Sequence, residues 1–293
     1  MDFPGRTALV TGGGTGLGLA IARALGRRGA AVGLASRSED HLRRGRDVLE
    51  REGIRTATFP CDVRDVHAVR RTVAAVEASL GPLSLVVNNA AGNFIRPAEA
   101  LPEKAFAAVV DIVLNGTFHV TRAAARSMIA RGTGGAVLNV VATYAWTGGP
   151  GTVHSAAAKA GVLALTRTLA VEWARHGIRV VAIAPGAFDS AGASDRLWPS
   201  AELEDRVRAA VPLGRFARRE EVAEAAAWLL SDAASYVTGE CLTIDGGAWL
   251  GRGILGASEP SSEPIPKIRR RRRAPAGKDS GKDSGKDLEE EVE

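Results

Sequence analysis

Residues Thr11–Gly18 read TGGGTGLG. Before them, Arg6–Thr11 (RTALVT) is apolar and of strand length. After them, Gly16–Arg28 carries apolar residues at helical spacing. A glycine-rich turn between a strand and a helix is the setting in which such a motif cradles phosphate. Gly12 permits the tight turn, Gly16 lets the backbone approach a pyrophosphate, and Gly18 lets the helix pack closely on the sheet. The start of that helix offers free N–H groups and the positive end of its dipole. Thr11, Thr15 and Leu17 complete the stretch expected to border the nucleotide.

Working outward, strand-like and helical runs alternate. Ala31–Ser36, Ile54–Pro60, Leu83–Asn88, Ala136–Val141, Ile178–Ala184 and Cys241–Ile244 read as strands. Glu39–Arg51, Val66–Leu80, a long run from Pro102 to about Ala130, Ser155–His176 and Glu220–Ser231 read as helices. This alternation predicts an α/β fold, a single Rossmann-type doubly wound parallel sheet with helices on both faces, over residues 1–252. Gly186–Leu213 breaks the rhythm and is expected to be a substrate lid. Residues 253–293 lack apolar periodicity, repeat GKDS and are expected to be a disordered charged tail.

The chain has 293 residues, 45% of them hydrophobic and 24% charged, which is ordinary globular composition. No apolar run approaches the roughly 18 residues that cross a bilayer, and MDFPGRTALV lacks the layout of a secretion signal. A cytoplasmic protein without a membrane span is expected. Cys61 and Cys241 lack metal-ligand spacing and read as buried free thiols, with no metal site. The net charge of +5 does not make a nucleic-acid binder. Ala257–Glu293 is neutral, with nine basic and nine acidic residues, so the excess is spread thinly over the rest of the chain.

The end of the second strand predicts which dinucleotide binds. An acidic residue there would hold a ribose 2′-hydroxyl. This chain has Ser36-Arg37, and a guanidinium offers a planar fork of donors for a 2′-phosphate. NADP(H) is expected, against the alternative of a surface arginine with NAD bound loosely. Asp62-Val63 would lie near the adenine. Asn89, Ala90 and Gly92, within NNAAG (Asn88–Gly92), would lie where the cofactor crosses the sheet.

Thr143–Lys159 (TYAWTGGPGTVHSAAAK) places one phenol, Tyr144, before a Gly/Pro loop, then Ser155 and Lys159 on a helix. A phenol, a hydroxyl and an ammonium suggest a site that stabilises negative charge on oxygen. Ser155 could equally cap its helix, and Asn93 could be a turn residue. Phe94, Trp146, Phe188 and Trp198 are candidates for an apolar acyl channel. His154 beside Ser155 invites a nucleophilic pair, but adjacent helical residues do not face one another.

These pieces resemble the short-chain dehydrogenases/reductases: TGGGTGLG, NNAAG, the Asn115 region (LNGTF), Lys159, Pro185-Gly186 and the closing DGG (Asp245–Gly247) follow in order. The resemblance implies that Pro185, Gly186 and Phe188 border the cofactor and that Asn115 braces a main-chain kink. It also implies a homotetramer built through helices near 102–130 and 155–176. The family pattern has tyrosine four residues before the lysine, and here that position is Ser155. NNAAGNF (Asn88–Phe94), DIVLNGT (Asp111–Thr117), Tyr144…Ser155…Lys159 and DGGAWL (Asp245–Leu250) resemble the 2,4-dienoyl-CoA reductase branch. That resemblance implies an acyl-CoA thioester substrate. Asn93 and Tyr144 would bond the thioester carbonyl, Lys159 would hold the nicotinamide ribose, and Ser155 would support the site. A conjugated thioester that takes hydride at its far carbon needs donors at its oxygen rather than a strong acid, so the displaced tyrosine suits it. The rival expectations are a reductase for another enoyl or 3-oxoacyl substrate, with Tyr144 as the acid, and a silent nucleotide-binding member.

Overall fold

The computed structural model describes residues 2–188 and 201–250. Trp198 and the tail at 253–293 lie outside them. Seven parallel strands form one sheet in the order β3-β2-β1-β4-β5-β6-β7. They are β1 (Thr7–Thr11), β2 (Ala31–Ser36), β3 (Thr56–Pro60), β4 (Leu83–Asn88), β5 (Gly135–Val140), β6 (Ile178–Pro185) and β7 (Cys241–Ile244). β1 pairs with both β2 and β4, so the winding reverses between β1 and β4. The carboxyl ends of those strands flank the crevice where doubly wound sheets take ligands.

Alternation along each strand sorts side chains into two layers. Ala8 and Val10 of β1 join a core with α1 (Gly16–Gly26), α2 (Glu39–Arg51) and α9 (Arg219–Leu230). Leu9 faces the opposite core, with α3 (Val66–Leu80), α5 (Gly116–Arg131) and α7 (Val153–Trp173). Covered on both faces, the central strands are near-continuous apolar runs. Helix starts follow local chemistry. Ser38 Oγ caps α2 by accepting from the His41 N–H at 3.2 Å, and Asp65 caps α3 by accepting from His67 and Ala68.

Three segments differ from the reading of the sequence. The run expected as one helix from Pro102 is α4 (Glu103–Val110), a π-helical turn Asp111–Asn115, then α5. The wider turn re-phases the apolar stripe between Val109 and Val113, which pack with α7, and Val120, Ala124 and Met128, which pack on the sheet. Tyr144, for which no element was expected, opens a one-turn helix, α6 (Tyr144–Thr147). The segment expected as a lid contains α8 (Ala201–Ala209), while residues 189–200 lie outside the described ones. Cys61 is buried, but Cys241 is only half-buried because β7 is an edge strand. Burial pushes both thiols up, Cys241 to about 11. Among the described residues no helix is long and apolar enough to cross a membrane.

Candidate active site

The glycine turn is built to leave donors open. Thr15 is the N-cap of α1, yet its side chain makes no capping hydrogen bond. Gly16 has φ +56°, and a Cβ built there meets nothing within 4 Å. The first turn of α1 is therefore an uncapped, positively polarised end beside open space, which fits the phosphates of a dinucleotide. Gly18 serves packing, since a Cβ there would lie 2.4 Å from the Gly12 carbonyl oxygen and 2.5 Å from Asn89 Nδ2. Leu17 is buried in the core, so only its backbone is available to a ligand.

Two of the expected contact residues are occupied in bracing the crevice. Thr11 Oγ1 donates to the Val87 carbonyl and accepts from the N–H groups of Asn89 and Ala90 at 3.0 and 3.1 Å. Asn89 Nδ2 donates to the Thr11 and Gly12 carbonyls. Together they staple the ends of β1 and β4. A second brace was not legible in the sequence. Asn88 Nδ2 donates to Thr121 Oγ1 on α5 and to Asn139 Oδ1 on β5, and Asn139 Nδ2 donates to Thr166 Oγ1 on α7. All four residues are buried. A polar residue facing inward from two neighbouring apolar strands was the available signal.

Beyond β2, Ser36 Oγ accepts from the Ser38 N–H at 3.3 Å, and Arg37 is exposed with no ion pair to a described residue. Asp62 is held below the usual carboxylate range chiefly by its fork to Arg64, with Arg37 a smaller influence. Among the described residues no ion pair occupies the Arg37 guanidinium, which leaves its fork open to an anion. Val63 is buried, and its carbonyl lies 3.0 Å from His119 Nδ1. Gly92 lies over Ile112 of the π-helical turn. At the other end of the crevice, Gly186 follows Pro185 against the backbone and Cβ of Asp245. Asp245 accepts from the N–H groups of Gly247 and Trp249, which orders the closing turn. Phe188 packs half-buried against the α1/α9 core, so it is more wall than channel.

The candidate reactive group comes together from two segments. Tyr144 Oη lies 3.0 Å from Ser155 Oγ. Ser155 is the third residue of α7, which begins at Val153, so its hydroxyl serves the phenol rather than capping the helix. Lys159 follows one turn later on the same face. It is 7% exposed, and its ammonium donates to the Val140 carbonyl. Burial lowers Lys159 from 10.5 to about 8. Burial raises the Tyr144 phenol, opposed in part by its bond to Ser155. The phenol is therefore neutral near pH 7 and able to donate a hydrogen bond, while Lys159 loses its proton more readily than a free lysine.

The loop that carries Asn93 packs on the segment between Tyr144 and Ser155. The Arg96 N–H donates to the Gly151 carbonyl at 2.9 Å, and Phe94 stacks on His154 at 4.4 Å between ring centres. Asn93 is exposed, and its Oδ1 accepts from the Phe94 N–H at 3.0 Å, which leaves the amide nitrogen as the free donor. Trp146 meets Trp249 edge-on at 5.8 Å, a partner that the sequence did not suggest. Asn115 Nδ2 donates to Asp111 Oδ1 at 2.8 Å, spanning the π-helical turn side chain to side chain.

A family model described as Enoyl-(Acyl carrier protein) reductase matches residues 12–248. A probable 2,4-dienoyl-CoA reductase of Bacillus subtilis (strain 168) is 46% identical over 246 residues, covering 84% of this chain and 97% of that protein. A gluconate 5-dehydrogenase of Gluconobacter oxydans is 36% identical, with 84% and 95% covered, so related chains carry different activities. The crystal structure of a short chain dehydrogenase from Bacillus anthracis superposes with a TM-score of 0.78 at 41% identity, covering 85% of this chain and 98% of that one. With its sheet order, its open glycine turn and its buried lysine, the chain belongs to the short-chain dehydrogenase/reductase family of oxidoreductases.

Proposed function

We propose that this protein uses NADPH to reduce 2,4-dienoyl-CoA thioesters to enoyl-CoA in the breakdown of unsaturated fatty acids. The observation that carries the reading is the 3.0 Å contact between Tyr144 and Ser155, one turn before buried Lys159. The phenol reaches the lysine's helix from a different segment, which suits a donor better than the acid of an ordinary carbonyl reduction.

The bound nicotinamide would supply hydride to the far carbon of the diene. Negative charge then gathers on the thioester oxygen as a dienolate, and Tyr144 Oη and Asn93 Nδ2 donate to it. One such donor is worth about 3–4 kcal/mol in the transition state. Ser155 orients the phenol. Lys159 would hold the ribose of the nicotinamide, the open end of α1 the pyrophosphate, and Ser36 and Arg37 the 2′-phosphate. Water returns a proton to carbon. Phe94 and Trp146, 39% and 37% exposed, are surfaces for the acyl chain. Assembly as a homotetramer through the outer faces of α5 and α7 is part of the proposal, supported by exposed Phe118 and Val171.

A second reading has Tyr144 act as an acid on a 3-oxoacyl substrate. The related gluconate 5-dehydrogenase favours it, because that enzyme's name implies alcohol–carbonyl chemistry. NADPH oxidation measured with a 2,4-dienoyl-CoA and with a 3-oxoacyl-CoA separates the two. Faster turnover of the dienoyl thioester is expected. Preference for the 3-oxoacyl thioester overturns the first reading. Tight NADPH binding with no turnover of either leaves only a nucleotide-binding role.

A further inference from the structure

His154 is fully buried, and neither ring nitrogen has a hydrogen-bond partner among the described residues. A buried imidazole with idle nitrogens is an unfavourable core residue, because both polar atoms lose water and gain nothing. Burial lowers its pKa, and the Phe94 backbone, close but outside hydrogen-bonding geometry, opposes this only in part. The ring is therefore neutral. Its one directional contact among the described residues is through its face: the Phe94 ring stacks on it, 4.4 Å away and inclined by 21°.

Phe94 is also the residue whose N–H holds Asn93 Oδ1 at 3.0 Å. An amide has one acceptor and two donors. With its acceptor engaged at Phe94, the Asn93 side chain can turn only its NH2 group outward. The loop is pinned two residues later, where the Arg96 N–H donates to the Gly151 carbonyl. Between that pin and the Thr11 bonds to Asn89 and Ala90, the ring stack among the described residues that bears on Phe94 is the one with His154, and Phe94 orients Asn93. His154 also sits next to Ser155, which bonds Tyr144. One turn of α7 thus supports both groups proposed to donate to the thioester oxygen, Tyr144 through the Ser155 hydroxyl and Asn93 through Phe94 and the His154 ring.

We infer that His154 is a positioning residue for this reaction: its ring, through Phe94, fixes the Asn93 amide as a donor to the thioester oxygen. The inference rests on the proposed role of Asn93, and its test separates the two. His154→Ala removes the stack and His154→Phe restores it without the nitrogens. In the full-length protein with NADPH and a 2,4-dienoyl-CoA, Asn93→Ala is expected to lower kcat about a hundredfold. His154→Ala is expected to lower kcat at least about tenfold with the NADPH constant unchanged, since misplacing a contributing group is costly. His154→Phe is expected to keep most of the rate. The double variant His154→Ala/Asn93→Ala is expected to be no slower than Asn93→Ala alone.

A purely structural role for His154 predicts additive losses in the double variant, and additivity overturns the inference. A normal rate for Asn93→Ala overturns both the inference and the role of Asn93. Amide hydrogen exchange of residues 90–97 gives a readout independent of substrate: the Phe94 N–H should exchange faster in His154→Ala and stay slow in His154→Phe. Unchanged exchange in His154→Ala sinks the inference even if the substrate assignment is wrong.

Discussion

Replacing Tyr144 with Phe removes one oxygen and keeps the ring, so it tests the proposed chemistry with little change in shape. The lost hydroxyl lies 3.0 Å from Ser155 Oγ, and burial keeps it protonated and able to donate. If it donates to the thioester oxygen, its removal forfeits about 3–4 kcal/mol of transition-state stabilisation. At about 1.4 kcal/mol per factor of ten, kcat falls roughly 100- to 1000-fold. The change also strands the Ser155 hydroxyl, which is 1% exposed, and an unsatisfied buried group costs about 1–3 kcal/mol of stability. Melting should therefore drop by a few degrees while the protein stays folded. NADPH affinity should be unchanged, because the groups assigned to the cofactor are the first turn of α1, Ser36, Arg37 and Lys159, and the phenol's hydrogen bond is to Ser155. Single-turnover NADPH oxidation with a 2,4-dienoyl-CoA, an NADPH titration and a thermal melt give the three numbers. A kcat within about threefold of the parent, or equal losses in kcat and in NADPH affinity, would refute the reasoning.

Lys159→Met should stabilise the cofactor-free protein by up to about 3 kcal/mol near neutral pH, because an ammonium lowered to about 8 by burial is held at a cost. The folded pKa lies below the unfolded one, so the cost is full below about pH 8 and fades as pH rises toward the ordinary 10.5. Unfolding free energies of parent and variant should converge across that window, and a constant gap would contradict it. Arg37→Ala should raise the NADPH constant at least about tenfold and the NADH constant little, since a fork to a phosphate is lost only for NADPH. Equal changes for the two cofactors would remove the 2′-phosphate assignment. Gly18→Ala should cost on the order of 2–3 kcal/mol in urea unfolding, since its Cβ would collide with the Gly12 carbonyl and Asn89. An unchanged midpoint would show that the turn yields freely.

Much of the architecture was legible in local chemistry. Parallel strands covered on both faces must be apolar throughout, so β2 and β4 stand out as short runs. The glycine turn was readable for the same reason, because few other residues tolerate the φ of Gly16 or the contact at Gly18. The π-helical turn was not readable. Nothing in DIVLN forbids an α-helix, and the extra residue is required only because α4 packs on α7 while α5 packs on the sheet.

The candidate site divides along the same line. Sequence alone determined which residues could be candidates, Tyr144, Ser155, Lys159 and Asn93, because residue type and spacing follow from covalent order. Tertiary structure alone decided what those groups do to one another. It bonds the phenol to Ser155 across eleven residues, buries Lys159 until its pKa falls to about 8, turns the Asn93 amide outward, and lays Phe94 on His154. It also decided that Thr11 and Asn89 brace strand ends and that Asn88 and Asn139 link sheet to helices. Hydrogen bonds, burial and ring stacking depend on distances through space, and those exist only once the chain has closed on itself.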